Sequence, residues 1–223
     1  MDYAIIVAGG KGLRMGTELP KQFLPLRGKP VLMHTIERFY AYSDVIGIIV
    51  ALPQEQQDFW LHLCQKHAFK IPHTVVNGGA TRFDSSKNGL AAVPDGTNGV
   101  VAFHDGARPF VSTAVIERCF AAARKHQAAI PGTPVTDSLR HVENGQSHNV
   151  RRDLFRAVQT PQVFDIALAK RAFNQPYCQS FTDDASVIES LGHTIVMVEG
   201  ERENNKLPPP LDLKLAELLT IDH

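Results

Sequence analysis

Short apolar runs of strand length alternate along this chain with segments whose apolar residues recur at helical spacing, and few folds accommodate that alternation. Residues 4–7 (Ala-Ile-Ile-Val) form the first run and stop at Gly9-Gly10. Pro30 opens a helix with Val31, Leu32, Ile36, Phe39 and Tyr40 on its apolar face. Residues 45–52 read as a second buried strand, and Pro53 leads into a helix through Phe59, Leu61 and Leu63. Residues 74–76 and 100–104 give a third and a fourth strand. Ser112 or Thr113 caps the next helix, which carries Ile116, Phe120 and Ala123. Later segments give helices starting near 165 and 182, a strand at 194–198, and a C-terminal helix after Pro208-Pro209-Pro210. Such alternation predicts an α/β fold with a mostly parallel central sheet and helices on both faces.

Residues 134–156 interrupt the pattern. They are too polar for a core strand, and Glu143-Asn144-Gly145 carries the signal of a two-residue hairpin turn. A protruding β-hairpin arm is expected there. A lone two-stranded ribbon is marginal in water, so a second subunit is its expected support, giving a homodimer through the 134–156 arm. A length of 223 residues otherwise suits one domain spanning 1–223.

Lysine plus arginine and aspartate plus glutamate both number 23, so general nucleic-acid binding has no electrostatic support. Any basic site must be local. Met1-Asp2-Tyr3 runs into the first strand without a positively charged leader, and no apolar run approaches a bilayer span, so a cytoplasmic location away from membranes is expected. Cys64, Cys119 and Cys178 are widely spaced and odd in number, which predicts reduced thiols in or near the core. The ten histidines show no metal-ligand spacing.

In open α/β sheets ligands bind beyond the carboxyl ends of the strands. Those ends hold the segments 9–16, 78–82 and 105–108, the richest in glycine and charge. The first reads Gly-Gly-Lys-Gly-Leu-Arg-Met-Gly, where backbone amides free of side chains can cradle phosphate oxygens beside Lys11, Arg14 and Lys21. It is not a Walker loop, because Gly-Lys-Ser/Thr is absent. It is not the dinucleotide fingerprint either: Met15 stands where the third glycine belongs, and Ala51-Leu52-Pro53 replaces the acid that ends the second strand.

Ala8-Gly9-Gly10-Lys11-Gly12-Leu13-Arg14-Met15 with Pro20-Lys21-Gln22 resembles the signature of the sugar and polyol nucleotidyltransferases. His104-Asp105-Gly106-Ala107-Arg108-Pro109, Thr160-Pro161-Gln162, Thr182-Asp183-Asp184-Ala185-Ser186 and Val198-Glu199-Gly200 narrow the resemblance to the 2-C-methyl-D-erythritol 4-phosphate cytidylyltransferase family. The resemblance implies a Rossmann-like three-layer sandwich and transfer of CMP from CTP to a polyol phosphate, with magnesium chiefly on the triphosphate. Arg14 and Lys21 match positions that stabilise the pentacoordinate phosphorus, and Arg152 and Lys206 match positions that orient the polyol phosphate. Ala8, Gly9, Gly10, Lys11, Gly12, Gly79, Arg82 and Ser85 match the nucleotide cradle, although Ser85 could also be a helix N-cap. Asp105, Arg108, Ser138 and Thr182 match substrate positions. Asp105 could instead hold magnesium or pair with Arg108, and Thr182 could be an N-cap. After Lys206 the family usually reads aliphatic-Thr-Thr-Pro, whereas this chain reads Leu207-Pro208-Pro209-Pro210.

Ribitol-5-phosphate cytidylyltransferases share the glycine loop and lysine but carry an insertion before Pro-Lys-Gln that this chain lacks. A catalytically silent sugar-nucleotide-binding regulatory subunit would have lost the cations retained at Arg14, Lys21 and Lys206.

Overall fold

The computed structural model describes residues 1–9 and 19–207. The expectations placed on Gly10, Lys11, Gly12 and Arg14, and the helix expected after Pro210, lie outside those residues.

The chain opens with β1 (Tyr3–Val7), a 3-10 turn at Lys21–Phe23, and a small ribbon of β2 (Pro25–Leu26) and β3 (Lys29–Pro30). Alternation follows as α1 (Val31–Tyr42), β4 (Gly47–Leu52), α2 (Gln54–Lys66), β5 (Thr74–Asn77), α3 (Arg82–Ala91), β6 (Val100–Asp105) and α4 (Thr113–His126). Next come β7 (Ala128–Pro134), β8 (Arg140–Glu143), β9 (Gln146–Asn149), β10 (Arg156–Val158) and β11 (Gln162–Asp165). The described part ends with α5 (Ile166–Phe173), α6 (Asp184–Glu189) and β12 (Val196–Glu199).

The main sheet runs β7–β11–β6–β1–β4–β5, with β10 and β12 also paired to β7. β4, β1 and β6 are mutually parallel, as are β4 with β5 and β7 with β12; only β10 and β11 run against their neighbours. The expected mostly parallel sheet is therefore present. Side-chain alternation in β1 sends Ala4 and Ile6 into one core and Ile5 into the other. The first core is closed by α1 and α4 with Trp60 and Leu63 of α2, and the second by α3, α5 and α6. Phe103 is fully buried in the second core, its ring 5.1 Å from Phe173 and 5.9 Å from Phe164.

Three strands of the main sheet differ from expectation. β7 reads Ala-Ala-Ile-Pro-Gly-Thr-Pro, whose prolines and glycine argue against a strand, yet it pairs with three others. β10 and β11 are three and four residues long, too short for a periodicity to show. The arm is present as the β8–β9 hairpin, closed by Asn144 (φ 50°) and Gly145 (φ 76°), the left-handed pair that a tight two-residue turn requires. Every residue of β8 and β9 is exposed. All three cysteines are free, but only Cys119 is buried and Cys178 is exposed, so the core placement expected for all three is corrected. Cys178 lies in the connection between α5 and α6.

Chain order sets where a ligand can sit. From β1 the chain moves outward to β4 and β5, then returns to β6 on the other side of β1. That reversal opens a crevice beyond the carboxyl ends of β1 and β6, where Val7 is in register with Asp105.

Candidate active site

Asp105 ends β6 and is almost wholly buried. One carboxylate oxygen takes a hydrogen bond from Arg82 Nη1; the other takes one from Arg108 Nε at 3.0 Å and faces Lys206 Nζ at 3.2 Å. Burial alone would raise this carboxyl, but Arg82, Lys206 and Arg108 overcome it and hold it well below the usual carboxylate range. Arg82 also reaches Asp184 Oδ2 through Nε (2.9 Å) and Nη2 (2.6 Å). Arg108 Nη1 donates to the Asn204 carbonyl at 2.8 Å, and the Leu207 amide donates to the Ala107 carbonyl at 2.9 Å, which brings Lys206 back over the strand end. The expected Asp105–Arg108 pairing is present, within a larger cluster. Both Asp105 oxygens face cations, so Asp105 does not fit as a magnesium ligand in this arrangement.

The backbone behind this carboxylate is held by a buried network. Thr160 Oγ1 accepts the Asp105 amide at 3.1 Å and donates to His104 Nδ1 at 2.9 Å; His104 Nε2 donates to the Arg108 carbonyl at 3.1 Å. Only a neutral imidazole can accept from Thr160 and donate to Arg108 at once. Burial pushes the His104 ring down to about 4, in keeping with that role. Asn204, fully buried, donates to the Thr160 carbonyl at 2.8 Å and ties the Lys206 segment to the same network.

A second group converges on the β1 side. The Gly79 amide donates to Ser85 Oγ at 3.0 Å, and a Cβ added at Gly79 would lie 2.1 Å from the Asp84 Cβ, so only glycine fits there. Gly9 approaches the same hydroxyl: a Cβ built on it would lie 3.5 Å from Ser85 Oγ. Gly9, Gly79 and Ser85 thus meet as expected for one cradle. Ser85 is not a helix N-cap; Thr81 caps α3 in a capping box with Asp84. Thr182 is likewise not an N-cap, because Asp183 caps α6 with Ser186 as its reciprocal partner. In both cases the residue one turn or one place away offers the better-placed oxygen. Lys21 follows Pro20 on the 3-10 turn, and its neighbour Gln22 is buried, donating to the Ala8 carbonyl at 2.7 Å and to Gln56 Oε1 at 2.8 Å. This bond pins the Lys21 turn to the root of the glycine loop. Among the described residues, the Lys21 ammonium has no hydrogen-bond or ion-pair partner.

The remaining site candidates do not join these groups within one chain. Ser138 is exposed in the arm, and Arg152 is exposed beside it, its guanidinium donating to the Thr136 carbonyl. Thr182 is exposed next to Asp183. Residues not singled out from sequence, namely Asp184, Ser86, Thr160, His104, Gln22 and Asn204, prove to hold the cluster. Most sit inside the quoted motifs, so the motifs marked the place, while burial and partner were visible only in three dimensions.

The family model described as IspD, 2-C-methyl-D-erythritol 4-phosphate cytidylyltransferase, matches residues 3–221. A protein of that name from Bacteroides fragilis is 55% identical over 216 residues, covering 97% of this chain and 98% of its own length. One of the same name from Bacteroides thetaiotaomicron is 53% identical over 215 residues, covering 96% and 97% respectively. The crystal structure of the enzyme so named from Thermus thermophilus superposes with a TM-score of 0.74 at 32% identity, covering 98% of both chains.

The His104 network carries a pH signature. The ring sits near 4 in the folded chain and near 6.5 when unfolded, so its contribution is complete above about 6.5 and is lost as pH falls toward 4. Between pH 7.5 and 5 this group should remove about 2 kcal/mol of stability. Urea unfolding at the two pH values should show that drop in the wild type and a correspondingly smaller one in His104→Gln. Equal pH dependence in the two proteins would contradict the buried neutral imidazole.

Proposed function

The chain belongs to the 2-C-methyl-D-erythritol 4-phosphate cytidylyltransferase family, and on that premise we propose that it transfers CMP from CTP to 2-C-methyl-D-erythritol 4-phosphate in non-mevalonate isoprenoid precursor synthesis. The observation that carries this beyond family membership is the charge at the end of β6. Arg82, Arg108 and Lys206 face Asp105 and Asp184, leaving one positive charge unanswered before Lys21 is added. Such a surplus in a crevice suits two phosphorylated substrates. It also weighs against a silent regulatory subunit, and relatives above half identity bear the methylerythritol name rather than the ribitol one.

A phosphate oxygen of the polyol attacks the α-phosphorus of CTP, a P–O bond forms, and the bond to the β-phosphate breaks to release pyrophosphate. The nucleophile is already an anion, so the work is positioning and neutralising charge rather than removing a proton. Gly9, Gly79 and Ser85 offer a small, rigid cradle for the nucleoside. Lys21, with no internal partner among the described residues and pinned through Gln22, would meet charge developing at the α-phosphorus, a role that the resemblance also implies for Arg14. Asp105 would accept a substrate hydroxyl while Arg108 and Lys206 turn toward the polyol phosphate. Magnesium would enter on the triphosphate oxygens, where it keeps several waters and needs few protein ligands. The exposed arm would reach a second copy of the chain and present Arg152, with Ser138, to the neighbour's site. A cytoplasmic location fits these substrates; among the described residues no helix is long and apolar enough to cross a membrane.

Pyrophosphate release from CTP in magnesium should require the methylerythritol phosphate, fail with ribitol phosphate and stop in EDTA. Lys21→Ala should lower that rate about 10²–10³-fold with unchanged circular dichroism. Undiminished turnover in the variant would remove Lys21 from the reaction. The arm makes a separate prediction. Lys21→Ala and Arg152→Ala, each inactive alone, should regain about a quarter of wild-type activity when co-expressed, because mixed dimers hold one intact site. No regain would place Arg152 outside the neighbour's site.

A further inference from the structure

Arg82 occupies a nucleotide-cradle position by resemblance, yet all three of its guanidinium nitrogens bond protein carboxylates. Nε and Nη2 both bond Asp184 Oδ2, and Nη1 bonds Asp105 Oδ1. Asp184 is only 1% exposed. Its other oxygen takes the Ser86 hydroxyl at 2.6 Å, and Ser86 is fully buried. The start of α6 is itself fixed to β11: Gln162 donates to Asp183 at 2.7 Å and accepts the Ala185 amide at 2.7 Å. A continuous chain of bonds therefore runs from the sheet through Asp184 and Arg82 to the outer oxygen of Asp105. The inner oxygen is left to Arg108 and Lys206.

We propose that Asp184 is a positioning residue for the transfer reaction, acting through Arg82 to aim Asp105 at the polyol phosphate half of the site, and that Arg82 is a positioning arginine rather than a ligand of CTP. The proposal rests on the reaction assigned above. Two donors converging on one buried carboxylate oxygen, with a third on Asp105, fix a guanidinium in direction and distance, which one surface contact does not. With Asp184 uncharged, Arg82 loses its anchor and turns its whole fork onto Asp105. The carboxylate then swings away from Arg108 and Lys206, and the two cations that meet the polyol phosphate lose their shared support. The CTP cradle of Gly9, Gly79 and Ser85 shares no bond with Asp184, so it is spared.

The test is steady-state kinetics on Asp184→Asn and Ser86→Ala, with each substrate varied in turn. Asp184→Asn should raise KM for the polyol phosphate about tenfold or more and leave KM for CTP within about twofold. Ser86→Ala, which only loosens Asp184, should shift the same constant in the same direction by less; it carries the test alone if Asp184→Asn does not fold. In an Arg82→Gln background, Asp184→Asn should add no further rise, because its effect passes through that side chain. An unchanged polyol KM, an equal rise in both KM values, or additive effects in the double variant would each overturn the proposal. A wild-type protein that releases no pyrophosphate from this substrate pair would overturn the underlying reaction instead.

Discussion

One buried carboxylate organises this site. Asp105 draws Arg82 from the start of α3, Arg108 from the turn after β6, and Lys206 from the segment after β12 to a single point. Only Arg108 is close to Asp105 in sequence, so the ion pairs assemble the crevice as well as charge it. Removing the Asp105 charge from such a group is costly, because Arg82 and the mostly buried Arg108 would be left with one carboxylate fewer. The network behind Asp105 serves the same end. Thr160, neutral His104 and Asn204 fix the backbone on which the carboxylate rides and leave its two oxygens to the cations.

The division of labour among the cations follows from how each is held. Lys21 has no internal partner among the described residues, and its backbone is pinned by Gln22, which leaves its charge available at a fixed place. Arg108 and Lys206 share one oxygen of Asp105 and can exchange it for a phosphate at little loss of charge compensation. Arg82 is held on both sides by buried carboxylates and is the least able to move. A site built for two anionic substrates thus contains cations at three grades of commitment, and the protein carboxylates set the grade.

Much of this is legible in the sequence, for identifiable reasons. β1, β4, β5 and β6 are runs of apolar residues ended by glycine, proline or charge, and α1 and α4 keep an apolar face, so period and punctuation suffice; α2 is present, but of Phe59, Leu61 and Leu63 only Leu63 is buried, beside Trp60. Ser112 and the Asn144-Gly145 turn carry local chemistry that does not depend on the rest of the fold. β7, β10 and β11 are not legible, because their pairing comes from neighbours distant in sequence and overrides the prolines and the shortness. The capping alternatives for Ser85 and Thr182 fall away, because Thr81, one turn earlier, and Asp183, one residue later, have the free oxygen in place. Asp184 sits inside a motif whose spacing points first to its neighbour Thr182. Its role depends on Arg82, a hundred and two residues away, and only the folded sheet brings them together.

The central claim is that Asp105 is ionised and shared among its cations before any substrate arrives. Carboxyl carbon-13 resonances of the aspartates, followed through a pH titration of the folded protein, test it directly. An ordinary aspartate titrates near about 3.9. The Asp105 signal should stay in the carboxylate position from about pH 7 down to the acid limit of folding. A signal that moves with a midpoint near the ordinary value, or above it, would show a carboxylate that its neighbours do not hold.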